Sequence, residues 1–393
     1  MEQVRLGLIG CGSMGSHHAK YFSEVDGLTF AAVYDHKPAA ADEAARGYDD
    51  CRRFDTAEAL ISSGEVDAVL IATPHYDHPT YARLAFEHGV HVLVEKPVAV
   101  TAKTAAETNT AYEAALKKHP KLVYAAMFNQ RTRPQWRQIK KMMDNGTVGE
   151  LIRVEWVITN WFRSQTYYNS GGWRATWRGE GGGVLLNQCP HNLDLFQWFV
   201  GMPSRLWTIA GVGKFHDIEV EDDITTMMTF ANGATGTFIT STGQTPGINR
   251  LTIVGSNGTL EAPDTGDILF REASQDIREF TMSSPDRFGD VAVTEHRIKA
   301  PDQRVPQHQS ITVNFVNYLL GKDDTLMAPA VEGINGLELG NAMLYSGLND
   351  SAPVDLPMDR EAFAAKLDEL IANSTFQKKV DASAGTAAMG GSF

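Results

Sequence analysis

Cysteine, positive charge and long apolar runs are all scarce in this chain of 393 residues. The three cysteines, Cys11, Cys51 and Cys189, are odd in number and widely spaced, which excludes a disulfide framework or zinc-finger pattern and favours a reducing compartment. The 35 basic residues against 48 acidic ones give a net charge of −13, whereas nucleic-acid-binding domains carry a basic excess. No apolar run approaches the roughly 18 residues of a membrane span. We therefore expect a cytoplasmic protein with no nucleic-acid or membrane partner.

Motifs for two other kinds of site are also missing. No H-E-x-x-H sequence or cysteine pair accompanies the neighbouring His75, Asp77 and His78, so no metal site is expected. No G-x-S-x-G sequence is present, which disfavours a serine hydrolase. The pair His17-His18 is expected at a helix surface beside a cofactor, not as two metal ligands.

The first third of the chain alternates apolar runs with stretches of helical spacing. The near-continuous apolar runs are typical of strands buried on both faces of a parallel sheet. The runs cover 4–9, 28–34, 66–72, 91–94 and 122–128, and the helical stretches cover 14–25, 39–47, 57–63, 76–88 and 101–119. This alternation predicts βαβ units and a doubly wound, Rossmann-like α/β domain over residues 1–129.

After residue 149 the apolar runs become longer, Thr-rich and partly alternating. Asn232-Gly233 and Asn257-Gly258 lie between such runs and predict hairpin turns. The pattern predicts a second, α+β domain over 130–380, with an antiparallel sheet that helices cover on one face. An exposed sheet face is commonly an interface between copies, so we expect a homo-oligomer, a dimer or a tetramer. The small, Gly-rich residues 381–393 are expected to form a flexible tail.

A dinucleotide-binding motif follows the first predicted strand. Gly10-Cys11-Gly12-Ser13-Met14-Gly15 matches G-x-G-x-x-G, in which glycine permits a tight turn, close approach to a pyrophosphate and close helix–strand contact. Gly10, Gly12, Ser13, Met14 and Gly15 are therefore cofactor candidates, at a helix N-terminus that offers N–H groups to phosphates. Asp35 lies about 20 residues further on, where a carboxylate binds the adenosine ribose. This carboxylate favours NAD, although the neighbouring Lys37 leaves NADP open.

Further cofactor contacts are expected after the other strands, because doubly wound sheets bind ligands at the carboxyl ends of their strands. The candidates are His36, Thr73, Pro74 and Asn129. His78 either contributes to this edge or caps the helix that follows it. Arg131, close after Asn129, is a candidate substrate contact.

Three segments carry a resemblance to a known family. Glu95-Lys96-Pro97 directly follows the strand at 91–94, and Ala72-Thr73-Pro74 ends the strand before it. Gly181-Gly182-Gly183 leads to His191 and Asp194. With the glycine motif, these segments resemble the Gfo/Idh/MocA oxidoreductases, named for glucose–fructose oxidoreductase and inositol 2-dehydrogenase, from about residue 4 to residue 372.

The resemblance implies a Rossmann domain joined to a domain with a large, open, mostly antiparallel sheet. It places Glu95 and Lys96 beside the cofactor, and it implies that His191 is the base that takes a proton from a substrate hydroxyl. Lys96 would stabilise the developing alkoxide or relay the proton. The implied reaction is the NAD-dependent oxidation of a secondary hydroxyl of a sugar, glycoside or cyclitol to a ketone. Lys96 and His191, from different domains, are then expected to meet at one carbon atom.

Asn187 departs from the family pattern, which usually has an aspartate four residues before the histidine. Asparagine forms hydrogen bonds but cannot take a proton. We retain Asn187 as a catalytic and substrate-binding candidate. On a continuous helix Asn187, His191 and Asp194 would share one face, but Pro190 either begins that helix or kinks it.

Residues 161–178 are dense in Trp, Tyr and Arg. Aromatic faces and forked donors suit a ring that carries many hydroxyls, although a packed loop or an interface has the same composition. The candidate substrate contacts are Arg163, Tyr167, Tyr168, Trp173 and Arg174. Two alternative functions stay open: an enzyme that modifies or cleaves glycosides with tightly bound, transiently reduced NAD, and a dinucleotide-binding regulator.

Overall fold

A computed structural model describes residues 2–380 of the chain. The chain divides into two compact units. The first contains the chain up to Arg133 together with Gln303–Leu337, and the second contains Pro134–Asp302 and the chain from Glu338 on. The flexible tail predicted at 381–393 lies outside the described residues.

Strands and helices alternate along the first unit, and longer strands dominate the second. The strands are, in chain order, β1 (Val4–Ile9), β2 (Leu28–Tyr34), β3 (Arg52–Arg53), β4 (Ala68–Ile71), β5 (His91–Val94), β6 (Tyr124–Ala126), β7 (Leu151–Ile158), β8 (Arg205–Val212), β9 (Glu221–Thr229), β10 (Thr235–Ser241), β11 (Asn249–Gly255), β12 (Gly258–Pro263), β13 (Ile268–Ala273), β14 (Val293–Ile298) and β15 (Val354–Asp355). The helices are α1 (Ser13–Ala19), α2 (Pro38–Ala44), α3 (Ala57–Ser62), α4 (His78–Glu87), α5 (Ala102–Leu116), α6 (Pro134–Asp144), α7 (Gln165–Tyr168), α8 (Pro190–Val200), α9 (Ile277–Ser283), α10 (Gln307–Leu319), α11 (Gly333–Leu348) and α12 (Arg360–Asn373).

The first unit contains the predicted parallel sheet. Its strand order is β3-β2-β1-β4-β5-β6, and every neighbouring pair is parallel. This order reverses between β1 and β4, and such a switch point is where doubly wound sheets bind ligands. The apolar runs are buried as expected, with every residue of β4 inside the core. The predicted Rossmann-like fold is confirmed.

A late segment of the chain, 303–337, completes the first unit. The amide of Asn109 on α5 donates to the carbonyl of Val331 at 3.0 Å, and the N–H of Ala126 donates to the carbonyl of Ala328 at 2.9 Å. The division predicted from sequence, 1–129 and 130–380, placed this segment in the second domain. The difference arises because the segment packs in the first unit through contacts between residues far apart in the chain. Local hydrophobic periodicity does not predict such contacts.

The second unit contains a nine-stranded sheet of order β14-β13-β12-β11-β7-β10-β9-β8-β15. The pair β7–β10 is parallel and the other pairs are antiparallel, so the expectation of a large, mostly antiparallel sheet is confirmed. β9 and β10 pair around Asn232-Gly233, and β11 and β12 pair around Asn257-Gly258. Both hairpins were predicted.

One face of this sheet carries the core of the second unit. Phe196 of α8 lies 5.9 Å from Phe238 of β10, ring centre to ring centre, and Trp136 of α6 lies 5.7 Å from Trp156 of β7. The opposite face leaves large apolar side chains in solvent: Ile209 is 68% exposed and Met227 is 54% exposed. Within residues 2–380, no helix combines the length and the apolar composition of a membrane span.

Candidate active site

The glycine motif forms the turn between β1 and α1. Gly10 has a φ of +92°, a left-handed conformation that glycine adopts without strain. A Cβ atom on Gly15 would lie 1.9 Å from the carbonyl oxygen of Gly10, so a side chain there would force the helix away from the turn. A Cβ atom on Gly12 would meet nothing within 4 Å, and Ser13 and Met14 begin α1 beside that open space. The loop therefore has the shape that a pyrophosphate requires.

Asp35 is fixed against this loop at the end of β2. The backbone N–H of Cys11 donates to its Oδ2 atom and the N–H of Lys37 donates to its Oδ1 atom, each at 2.7 Å. The exposed His36 places Nδ1 3.2 Å from Oδ1. Burial and the adjacent carboxylate raise the pKa of the Cys11 thiol to about 12, which keeps it protonated. The carboxylate is thus oriented beside the loop, where it fits the hydroxyls of a ribose.

Two polar atoms at the ends of other strands suit the same ligand. The Oγ1 atom of Thr73, after β4, and the Oδ1 atom of Asn129, after β6, are buried and make no hydrogen bond with any other atom of residues 2–380. Pro74, next to Thr73, is exposed. Buried polar atoms without partners are commonly completed by a ligand or by water. Together with the glycine loop and Asp35, these atoms fit a dinucleotide.

Glu95 lies at the end of β5 in a buried hydrogen-bonded chain. Its Oε1 atom is 2.7 Å from Nε2 of His18, and its Oε2 atom accepts the backbone N–H of Lys96 at 3.1 Å. Nδ1 of His18 contacts the hydroxyl of Tyr21, which lies 3.0 Å from Oγ1 of Thr312. Burial raises the pKa of Glu95, but the His18 hydrogen bond and nearby positive charges outweigh burial and lower it to about 2. His18 is fully buried, so its expected place at a helix surface is wrong.

His308, which belongs to the late segment 303–337, places a neutral ring beside these hydrogen-bonded residues. Its ring centre is 5.3 Å from that of His17 and 5.6 Å from that of His18. The Nδ2 atom of Asn129 lies 3.3 Å from both ring nitrogens. Burial lowers the pKa of His308 to about 3, so the neutral ring can accept the Asn129 hydrogen bond. Within residues 2–380 no group of three or more His, Cys, Asp or Glu side chains is arranged to hold a metal ion.

His78 joins the turns that follow β4 and β5. Its Nε2 atom is 2.8 Å from the carbonyl oxygen of Thr73, and its Nδ1 atom is 2.8 Å from that of Pro97. Burial lowers the pKa of His78, and the two backbone hydrogen bonds oppose that effect. The ring thus ties the turn that carries Thr73 to the turn that carries the half-buried Lys96. The Lys96–Pro97 peptide bond is cis.

Arg131 is buried in the first unit. Its Nη1 atom donates to Oε2 of Glu332 at 2.6 Å, and its guanidinium lies 5.6 Å from the ring centre of Phe128. Its role as a substrate contact stays a prediction.

In the second unit, α8 begins at Pro190, with Cys189 as its N-cap. Proline costs no helical hydrogen bond in a first turn, so of the two alternatives for Pro190 the helix start is the one observed. His191 is buried in the first turn and Asp194 is buried one turn later. Asn187 precedes the helix, and its side-chain N–H donates to Oε1 of Glu180.

A buried carboxyl group holds the glycine segment that leads to this helix. The N–H of Gly183 lies 2.8 Å from both carboxyl oxygens of Glu221, and the N–H of Leu185 lies 3.1 Å from one of them. Burial raises the pKa of Glu221 to about 7, although these N–H groups lower it. These hydrogen bonds therefore hold the segment before His191 against the start of β9.

All five predicted aromatic and arginine candidates come together around Tyr167, whose ring centre lies 5.3 Å from that of Tyr168. Nη1 of Arg174 donates to the Tyr167 hydroxyl at 2.5 Å, and its guanidinium carbon lies 4.3 Å from the ring centre. Arg163 lies 5.0 Å from the same ring centre, and Trp173 lies 4.7 Å from Arg174. Tyr168 is buried, with its hydroxyl 2.7 Å from a threonine hydroxyl.

Several polar residues of these clusters are not among the candidates predicted from the sequence. They are Tyr21, Glu180, Glu221, His308, Thr312 and Glu332. Glu180 directly precedes the Gly181-Gly182-Gly183 motif, and Glu221 lies within an acidic run, whereas the other four stand outside any motif, where the signal in the sequence is a polar residue inside or beside an apolar stretch. That signal does not identify a partner.

Both units match models of one protein family. Residues 4–126 match the oxidoreductase family with the NAD-binding Rossmann fold, and residues 136–261 match the GFO/IDH/MocA C-terminal domain. The first unit is therefore an NAD-binding domain, as the glycine loop and Asp35 suggest.

Relatives with sequence and structural similarity extend the match. The chain is 27% identical over 315 residues to levoglucosan dehydrogenase of Pseudarthrobacter phenanthrenivorans, covering 72% of this chain and 77% of the relative. It is 29% identical over 294 residues to the rhizopine catabolism protein MocA of Rhizobium meliloti, covering 72% of this chain and 87% of the relative. The WlbA dehydrogenase of Bordetella pertussis, solved in complex with NADH and UDP-GlcNAcA, has a TM-score of 0.72 at 24% identity, covering 91% of this chain and 100% of that one. At that identity the structural match shows the fold alone.

Proposed function

The chain belongs to the GFO/IDH/MocA oxidoreductase family, and from that membership we propose an NAD-dependent dehydrogenase that oxidises a secondary hydroxyl of a sugar, glycoside or cyclitol to a ketone. The observation that best supports the substrate class is the cluster around Tyr167. Arg174 and Gln188 both donate to its hydroxyl, at 2.5 and 3.1 Å, and cations lie over its ring. Such a mixture of aromatic faces and donors suits a ring with many hydroxyls. The names of the relatives, a levoglucosan dehydrogenase and a rhizopine protein, point the same way.

The proposed chemistry divides between two side chains. Bound NAD would supply the hydride acceptor for the alcohol carbon. His191 takes the hydroxyl proton, because an imidazole is a good base near neutral pH. Lys96 stabilises the negative charge that develops on the alcohol oxygen. The buried Glu95 carboxylate accepts the Lys96 backbone N–H and thereby helps to hold the backbone from which the lysine side chain extends. Asn187 cannot take a proton, so it binds and does not act as a base.

The test is a substrate panel with the purified chain. Levoglucosan, glucose, methyl glucosides and myo-inositol are mixed with NAD or NADP, and the absorbance of the reduced cofactor is followed. We expect NAD to be reduced with at least one of these compounds. Lys96→Ala and His191→Ala should each lower kcat by about 100-fold or more, in line with the loss of general acid–base or electrostatic catalysis. The exposed Lys121 and His88 give the control substitutions to alanine, which should leave kcat unchanged.

Two results would contradict this proposal. Sugar oxidation that is undiminished in both Lys96→Ala and His191→Ala would exclude their assigned roles. No net reduction of added NAD, combined with NAD released from the protein on denaturation, would favour the glycoside-modifying alternative with a closed redox cycle.

We also propose that the exposed sheet face of the second unit joins copies of the chain. Ile209 of β8 and Met227 of β9 stand largely in solvent on adjacent strands. Exposed apolar side chains grouped on one face are typical of a protein–protein interface. The oligomeric state in solution tests this proposal.

A further inference from the structure

We infer that Glu180 is a positioning residue of the substrate site, which orients the side-chain amide of Asn187 so that its oxygen serves as a hydrogen-bond acceptor for a substrate hydroxyl. This inference rests on the proposed function and assigns a residue to that same site. It starts from one contact, between the Glu180 carboxylate and the Asn187 amide.

The carboxylate of Glu180 is itself firmly held. Glu180 is 1% exposed, and its Oε2 atom accepts the backbone N–H of Ala175 at 2.5 Å. The backbone N–H of Glu180 donates to the carbonyl of Thr176 at 2.9 Å. Arg174 places Nη1 3.9 Å from Oε1, and this cation offsets part of the buried negative charge. The carboxylate therefore has a fixed place in the loop before α8.

This fixed carboxylate decides which end of the Asn187 amide faces it. A carboxylate oxygen only accepts hydrogen bonds, so its partner must be the amide nitrogen. The amide oxygen of Asn187 then lies at the opposite end of the group, as an acceptor. An aspartate at this position would offer the same acceptor, but it would place a second negative charge against Glu180. Such carboxylate pairs are unfavourable unless one of them is protonated.

The departure of Asn187 from the family pattern is thereby explained. Because Glu180 already supplies a carboxylate, the hydrogen-bond pattern of the site is preserved by an amide at the second position and disturbed by an acid. The same carboxylate, through Arg174, is linked to Tyr167 in the proposed sugar-binding cluster. The buried Glu180 carboxylate thus orients both Asn187 and Arg174, two residues of the proposed substrate site.

Swapping the carboxylate at position 180 with the amide at position 187, first one at a time and then together, tests the inference. In Glu180→Gln, one amide must serve both the N–H of Ala175 and Asn187. Its oxygen can accept from Ala175 only if its nitrogen faces Asn187, which turns the Asn187 amide around. In Asn187→Asp, two carboxylates meet. The double variant combines Glu180→Gln with Asn187→Asp: the new amide oxygen accepts from Ala175, the new amide nitrogen donates to the new carboxylate, and the second oxygen of that carboxylate remains an acceptor.

The expected kinetics follow from these hydrogen-bond patterns. Each single variant should lose about 10- to 100-fold in kcat/KM for the sugar oxidised by the wild type, the cost of one mispaired buried hydrogen bond. The double variant should recover to within about fivefold of the wild type, which is non-additivity of the kind that contacting residues show. The loss in Asn187→Asp should shrink as the pH falls, because protonation of one carboxylate restores a hydrogen bond. The KM for NAD should not change in any of the three.

A control separates positioning from folding. Glu219 also accepts a backbone N–H, that of Trp177 at 3.0 Å, and it lies in the same unit. Glu219→Gln should leave kcat/KM unchanged. Circular dichroism and tryptophan fluorescence show whether each variant is folded.

The outcomes are distinguishable from failure of the proposed function. If the wild type oxidises a sugar and the double variant is no better than the worse single variant, the inference is overturned while the dehydrogenase stands. If the wild type oxidises none of the panel, the dehydrogenase proposal fails, and quenching of tryptophan fluorescence by the same sugars decides the inference. Weaker binding in both single variants with recovery in the double variant supports it, and equal binding by all four proteins, or by none, overturns it.

Discussion

Acidification should destabilise the first unit through His308. The ring is buried, and its pKa falls to about 3 in the folded chain, against about 6.5 for an unfolded histidine. Below that unfolded pKa the unfolded state therefore binds a proton that the folded state does not bind. The free energy of unfolding then decreases as the pH falls, over a window that ends near the folded pKa.

The magnitude follows from the size of that window. One pH unit is worth about 1.4 kcal/mol for one proton, so acidification from about pH 6.5 to about pH 5 should remove about 2 kcal/mol. Glu95, His17, His18 and Lys96 are the charged or titratable groups that contribute to this pKa, and burial is the largest contribution. His308→Gln removes the titration but retains an oxygen that can accept from Asn129. This variant should show an acid-induced loss that is smaller by about 2 kcal/mol, whatever its stability at neutral pH; the remainder belongs to His17, His78 and His91 of the same unit, whose pKa values burial also lowers.

The assay must report on the first unit alone. All seven tryptophans lie at or beyond residue 136, so tryptophan fluorescence reports on the second unit. Hydrogen–deuterium exchange in β5, corrected for the intrinsic rate at each pH, reports on the first. His88→Gln, which removes an exposed histidine of the same unit, is the matched control and should keep the wild-type pH dependence. An equal loss of protection in the wild type and in His308→Gln between these pH values would refute a neutral, buried His308.

Three further predictions concern separate features of the chain. Glutamate at both Ile209 and Met227 should lower the mass measured by light scattering to that of a monomer, and a wild type that is already monomeric would exclude the proposed interface. The neutral His78 ring carries one N–H, so His78→Phe leaves one of the two buried carbonyls without its donor and should destabilise β5 by about 1 to 3 kcal/mol, measured by hydrogen exchange; unchanged protection would contradict the tie between the two turns. Asp35→Ala should weaken NADH binding by about tenfold and narrow the preference for NADH over NADPH, measured by NADH fluorescence, because the ribose hydroxyls lose their acceptor while the repulsion of a 2′-phosphate disappears. If the wild type binds NADH and NADPH with equal affinity, Asp35 does not select the cofactor.

The fold could be predicted from the sequence because its signals are local. Apolar runs of four to seven residues, helical stretches between them and a glycine turn after β1 are sufficient for a doubly wound sheet. The Asn-Gly pairs identify two hairpins of the second unit in the same way. In both cases the physical cause of the structure lies within about ten residues of chain.

The late segment 303–337 could not be assigned to the first unit on such grounds. Its helix α10 has ordinary helical periodicity, and nothing in that pattern says which core it covers. The choice depends on contacts over long sequence separations, which include the burial of Ile311, Phe315 and Val316 and the 3.0 Å contact between Tyr21 and Thr312. The burial of His18 has the same origin, since its partner Glu95 follows a strand far along the chain.

Asn187 shows why a candidate site interpreted one position at a time is incomplete. Compared with the family pattern alone, an amide in place of an acid suggests a weakened site, because it removes a group that can take a proton. The adjacent Glu180 changes this interpretation, because a carboxylate seven residues earlier in the chain is folded back onto the amide. The chemistry then requires one negative charge in the pair formed by residues 180 and 187, and a hydrogen bond from the amide nitrogen to the carboxylate. Either position can carry the acid provided that the other carries the amide, and the exchange of the two side chains is the experiment that separates this account from a simple loss of function.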